Sequence, residues 1–284
     1  MEGTHISWAQ DTFNPIEGCE KVSAGCQMCY AEARDNRFHE GKHWGPNSSR
    51  LEHTDAYWRQ PYKWDREAAL SGARRRVFCA SLSDWLEDHP TWRKARVRLL
   101  ETIAATPNLE WLLLTKRPEN WKYLMEIIQA EAIATVDGHP PYGIAHDVAM
   151  LWEAKDCPPA NIRFGITVEN QAMAQRRIPL LWKIPAKRFL SMEPLLERVN
   201  LGFGLGLVGE VIVGGESGPN ARPMALEWAI DLREQCRLAG VPFHFKQMGA
   251  RPTLGGKPYP ISDAKGGVWD EFPPELQVRE LPEA

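Results

Sequence analysis

The sequence predicts an α/β fold, a partial TIM-type barrel of six or seven βα units, on three observations. Short apolar β-type runs recur along the chain, amphipathic helical patterns separate most of them, and polar residues follow each run. Strand then helix, repeated, gives a parallel sheet, because parallel neighbours need a crossover between them. In a barrel of such units the residues just past the strands face one shared end.

The first strand is placed near Phe13 to Glu17, and the loop after it carries Cys19, Cys26 and Cys29. The second, Val77–Ala80, is followed by Ser81, Ser83 and Asp84, and the third, Leu109–Leu114, by Lys116 and Arg117. Ile162–Val168 leads into Glu169 and Asn170, and Arg188–Ser191 into Glu193. Glu210–Val213 runs into Glu216, with Arg222 beyond, and Pro242–Phe245 into Lys246. Helices are expected at Thr91–Ala105, Glu119–Ala134 and Leu226–Ala239, the last ended by Gly240 as a left-handed cap.

Three stretches interrupt the alternation. An insert, Tyr30 to Arg76, mixes ten Lys/Arg and seven Asp/Glu with Trp44, Tyr57, Trp58, Tyr62 and Trp64. Cations interleaved with aromatics suit base stacking and phosphate contacts; a helical insert packed by its own aromatics is the plain alternative. Asp137–Pro159, with four Pro and two Gly, reads as a loop or lid. Residues 249–284 read as a Gly/Pro-rich wrapping extension, so the chain is taken as a single domain over 1–284.

A formal net charge of -3 argues against holding nucleic acid by bulk positive charge and leaves room for a local patch. No apolar run is long enough to span a membrane, and the polar start lacks a secretory signal, so a cytoplasmic protein with reduced thiols is expected. Cys79, Cys157 and Cys236 stand alone and read as packing or surface thiols. The grouped three suggest metal. Zinc completed by His39 or His43 is one reading; three thiolates also suit an iron–sulfur cluster that keeps one iron open for a ligand.

The segments NPIEGCEKVSAGCQMCYAE, FCASLSDWLED, LLLTKRPENW, FGITVENQ, RFLSMEPLL, VIVGGESGPNARPM and VPFHFKQMG carry a resemblance across nearly the whole chain. In this order they resemble the phage-associated three-cysteine-motif proteins related to the radical S-adenosylmethionine (SAM) enzymes. The resemblance implies a barrel of the radical SAM kind, with a four-iron four-sulfur cluster on Cys19, Cys26 and Cys29. It also implies an open iron that chelates SAM, whose reductive cleavage yields a radical that abstracts hydrogen from a substrate, and an electron donor such as flavodoxin or ferredoxin.

The sequence departs from the general radical SAM pattern in having six residues between its first two cysteines and Met28 before the third. Ser81 to Asp84 stand where Gly-Gly-Glu-Pro is usual. On this reading Ser81, Ser83, Asp84, Asn170, Ser191 and Glu193 are candidate SAM contacts. Lys116, Glu169, Glu216 and Lys246 are candidate catalytic groups, and Arg117 and Arg222 candidate substrate anchors. The substrate is expected to be a nucleic-acid base or nucleotide. The competing expectation is a zinc- or cluster-stabilised module that binds nucleic acid or protein without catalysis.

Overall fold

A computed structural model describes residues 4, 6–134 and 143–282. Seven parallel strands form one sheet: β1 (Asp11–Phe13), β2 (Arg75–Cys79), β3 (Leu109–Thr115), β4 (Ile162–Thr167), β5 (Lys187–Met192), β6 (Val211–Gly214) and β7 (Phe243–Gln247). Their order in the sheet is their order in the chain, as repeated same-handed βα units require. The first strand is shorter than its sequence suggested. Pro15 has no N–H to donate, and Ile16–Glu17 pairs instead with Leu51–Glu52 of the insert in an antiparallel bridge.

Alternate residues of each strand face opposite sides. One set, including Val77, Leu113, Phe164, Leu190, Val213 and Phe245, packs beneath the helices. The other set, Phe78, Leu112, Phe189 and Ile212, encloses Trp8 of the N-terminal segment inside the curl. The Trp8 ring lies 4.6 Å from Phe78 and 6.3 Å from Phe189. Gly165 makes room for this layer, since a Cβ there would sit 2.2 Å from Phe189 Cζ.

Below the aromatic layer lie four buried charges. The Arg76 guanidinium donates to both carboxylate oxygens of Glu210, at 3.0 and 2.5 Å, and Arg163 Nε donates to Glu110 at 2.6 Å. Arg76 Nε is also 3.1 Å from Glu110. A side chain of β2 thus reaches one of the β5–β6 turn across the interior, so the sheet is curled into a half barrel. The edge of β7 is covered by the C-terminal extension, through Phe245 N–H to Val278 O and Glu280 N–H to Phe243 O.

Eight helices accompany the sheet among the described residues: α1 (Tyr30–His39), α2 (Asp55–Trp58), α3 (Gln60–Ser71), α4 (Trp92–Ala104), α5 (Trp121–Ala134), α6 (Ile144–Lys155), α7 (Gln171–Leu181) and α8 (Leu226–Ala239). Gly240, at φ +66°, ends α8. The stretch Asp137–Pro159 is largely α6 rather than a loop; residues 135–142 lie outside the described residues. Trp152 anchors that helix, buried at 0% exposure with its indole N–H on Pro185 O at 2.6 Å. Among the described residues no helix is long and apolar enough to cross a membrane.

His244 points into the interior, 1% exposed, with Nε2 2.8 Å from Ser7 Oγ. Burial, then the charges of Arg279, Arg76 and Lys246, push its pKa down to about 3. The unfolded chain takes up this proton near pH 6.5 while the folded chain refuses it until about pH 3, so stability falls as pH drops through that window. Urea unfolding at pH 7 and pH 5 is expected to differ by about 2 kcal/mol, and His244→Gln to flatten the difference. A variant as pH-sensitive as the parent would exclude His244 as the source.

Candidate active site

A cavity of about 1070 Å³ opens at the C-terminal ends of the strands. Its floor is the apolar layer of Trp8, Phe78 and Leu114, and its walls are strand-end residues such as Asn14, Asp84, Lys116, Thr167, Ser191 and Lys246. Cys19, Cys26 and Cys29 all line it. All six cysteines of the chain are free, with Cys79 and Cys236 buried elsewhere and Cys157 exposed.

The cysteine loop has little regular structure of its own, so its shape comes from what grips it. After Gly18, at φ +107°, where a Cβ would meet His43 O at 2.3 Å, the loop reaches a single 3₁₀ turn at Ala24–Cys26 and then Cys29 at the N-cap of α1. From β2, Leu82 O accepts from Gly18 N–H at 3.0 Å and Glu87 accepts from Glu20 N–H at 3.0 Å. From β3, Arg117 donates to Glu20 O at 2.8 Å and lies 3.5 Å from Cys19 Sγ. From β4, Glu169 accepts from Gly25 N–H at 3.3 Å; beyond β6, Arg222 donates to Gln27 Oε1 at 3.1 Å.

Each gripping group is itself fixed by an opposite charge. Asp84 accepts from Leu86 N–H, Thr115 Oγ1, Lys116 N–H and Arg117 Nη1, at 2.7–3.1 Å. Burial alone would raise its pKa, but Arg117 and these hydrogen bonds outweigh that and hold it below the ordinary value. Glu169 behaves alike: burial opposes ionisation, and Arg177 at 2.7 Å overcomes it. Glu87 is bound by Nε and Nη2 of Arg50, at 2.8 and 2.9 Å, and Glu216 by Arg222 at 2.6 Å.

Cys19 and Cys29 differ. Burial pushes both thiols up, Cys19 to about 12 against the pull of Arg117, so burial favours the protonated form of both.

The structure gathers most of the sequence-selected residues at the cavity: the three cysteines, Ser81, Ser83, Asp84, Lys116, Arg117, Ser191, Glu193 and Lys246. Ser81 donates to Asn14 Oδ1 and Ser83 to Ile16 O, which tie β2 to the loop after β1. Glu193 sits 2.5 Å from Lys246 Nζ and 3.5 Å from Ser191 Oγ. Asn170, Glu169, Glu216 and Arg222 are not among the residues lining the cavity. Asn170 Oδ1 caps α7 by accepting from Met173 N–H at 2.9 Å, and the other three hold the loop.

Trp58 and Trp64, each 1% exposed, are core residues and offer no face to a base; Trp44 does line the cavity. Sequence reasoning missed Glu87, Arg50, Arg177 and Tyr30, whose hydroxyl donates to Ser81 O at 2.5 Å. Their partners lie 8 to 67 residues away, separations that leave no local pattern.

Compared with known proteins, residues 3–273 match a family described as a protein of unknown function (DUF5131). No curated protein and no solved structure matches the chain.

Proposed function

This chain belongs to the DUF5131 family, whose description carries no activity, and from the cavity we propose an iron–sulfur enzyme of the radical SAM kind. One observation carries the reading. A loop bearing three cysteines is gripped from four strands of a parallel half barrel, so that all three face the cavity at the strand ends. The resemblance of the cysteine segment to the radical SAM-related proteins points the same way.

The donor set fits a cluster. A single zinc ion needs four ligands at about 2.0–2.3 Å from one centre, whereas a four-iron cluster takes each thiolate on its own iron. His39 and His43, the candidate fourth zinc ligands, are not among the residues lining the cavity. Arg117 beside Cys19, and Lys116, whose charge reaches Cys29, offset the negative charge of thiolate-bound iron. Cys19, Cys26 and Cys29 would hold the cluster, which when bound supplies the electron that cleaves SAM for hydrogen abstraction.

The chain's own side chains then bind and shield. Among the described residues no carboxylate lies within ion-pair distance of Lys116, while Arg117, Arg177 and Lys246 each have one. Lys116 is therefore a cation free to take a carboxylate of SAM or an anionic group of the substrate. Lys246 and Glu193, bonded to each other at the wall, present a donor and an acceptor to a bound molecule. Thr167 Oγ1, buried without a hydrogen-bond partner beside the cavity, adds an unspent polar group. Trp8, Phe78 and Leu114 keep water from the floor. An electron donor such as flavodoxin or ferredoxin is the partner this chemistry needs.

Anaerobic reconstitution with iron and sulfide tests the proposal. The expected product is brown protein with roughly four iron per chain that, given SAM and a strong reductant, releases methionine and 5′-deoxyadenosine. A colourless protein holding stoichiometric zinc and inert toward SAM would sink it in favour of the binding-module reading.

A further inference from the structure

Helix α1 begins at Cys29 and carries Tyr30, Arg34 and Phe38 at i, i+4 and i+8, so the three share one face, with Arg37 beside them. That face is open: Tyr30 is 55% and Phe38 62% exposed, and the Arg34 side chain 41%. Both guanidiniums lie against the Phe38 ring, Arg34 at 5.8 Å and Arg37 at 5.2 Å from its centroid. Tyr30 and Arg34 also line the cavity, so the stripe runs from its wall outward. At 1.5 Å rise per residue, Tyr30 and Phe38 stand about 12 Å apart along the axis.

We infer that this stripe is a docking track for single-stranded nucleic acid, which delivers one nucleotide to the cavity. Two aromatic rings flank two guanidiniums, of which Arg34 is paired with Glu17 and Arg37 is left to meet a phosphate, so that bases stack on Tyr30 and Phe38 and the backbone between them passes a planar cation. A purely acidic protein partner would use the arginines but have no need of the rings. With a net charge of -3 on the whole chain, attraction must come from such a local track. The cavity, about 1070 Å³, has the size of a small-molecule site and takes a nucleotide rather than a duplex. The inference rests on the reading of this cavity as a reaction site.

Fluorescence anisotropy with a short labelled single-stranded oligonucleotide and the purified full-length chain tests it, with polyglutamate as competitor. Phe38→Leu is expected to weaken binding about tenfold, Phe38→Trp to restore it, and Arg37→Gln to lower the salt dependence by about one counterion. Phe38 is exposed, and an unchanged circular dichroism spectrum confirms that each variant folds.

Unchanged affinity in Phe38→Leu overturns the track; equal displacement by polyglutamate overturns it in favour of an acidic protein. Binding is read without turnover. Oligonucleotide binding of this kind in a protein that never cleaves SAM would keep the track and remove the radical reading, and SAM cleavage without the binding would do the reverse.

Discussion

Alanine at any one of Cys19, Cys26 or Cys29 is expected to abolish the visible absorption of the reconstituted protein and all SAM cleavage, while Cys157→Ser keeps both. The contrast is informative because the thiols differ in position rather than chemistry: three line the cavity, and Cys157 is exposed away from it. Each lost thiolate leaves a cluster iron without its protein ligand. Removing a grip should give a partial effect. Glu169→Gln cuts the charge that binds Arg177 and loosens the acceptor of Gly25 N–H, so iron content should fall severalfold while the fold survives. Iron and sulfide assays on the purified variants decide it, and full retention of iron in Cys26→Ala would remove the cluster reading.

The largest expected loss of stability follows from Arg76→Met. Arg76 donates two hydrogen bonds to Glu210, itself 0% exposed, and contacts Glu110; without it two buried carboxylates share the single charge of Arg163. Breaking a buried pair from one side costs about 3–5 kcal/mol, a large part of the roughly 5–15 kcal/mol that a domain has. Chemical denaturation should show the loss, and Arg76→Met combined with Glu210→Gln should recover much of it. A double variant no better than the single one would mean that shape, and not charge balance, is what Arg76 supplies.

The strand pattern was readable because parallel strands covered on both faces are near-continuous apolar runs, such as LEWLLL and EVIV, with polar ends. The same logic failed for α6, whose Pro-rich flanks suggested a loop while Trp152 and the alanines of its buried face supplied a helix core. In the aromatic insert the sequence left two readings open, a stacking surface and a self-packed helical insert. Trp58 and Trp64 repeat at a spacing that suits a surface track equally well, and only the packing of Phe13 and Trp111 against that region decides that they are buried.

At the site, the polar strand ends were visible, but their division of labour was not. Whether a carboxylate faces a ligand or a cation depends on partners that no local pattern marks, Arg177 on the following helix for Glu169 and Arg50 of the insert for Glu87. Phe38 escaped notice because its meaning lies in its exposure, which one sequence does not reveal.

The apolar floor of the half barrel sets a direction of approach. Beneath the cavity Trp8, Phe78, Leu112, Phe189 and Ile212 pack together, and four paired charges lie below them. On the proposed reading, a molecule that binds at the inner wall comes in over the rim formed by α1, Trp44 and the loop around Asp263. One seated deep would then leave only after whatever sits nearer the rim.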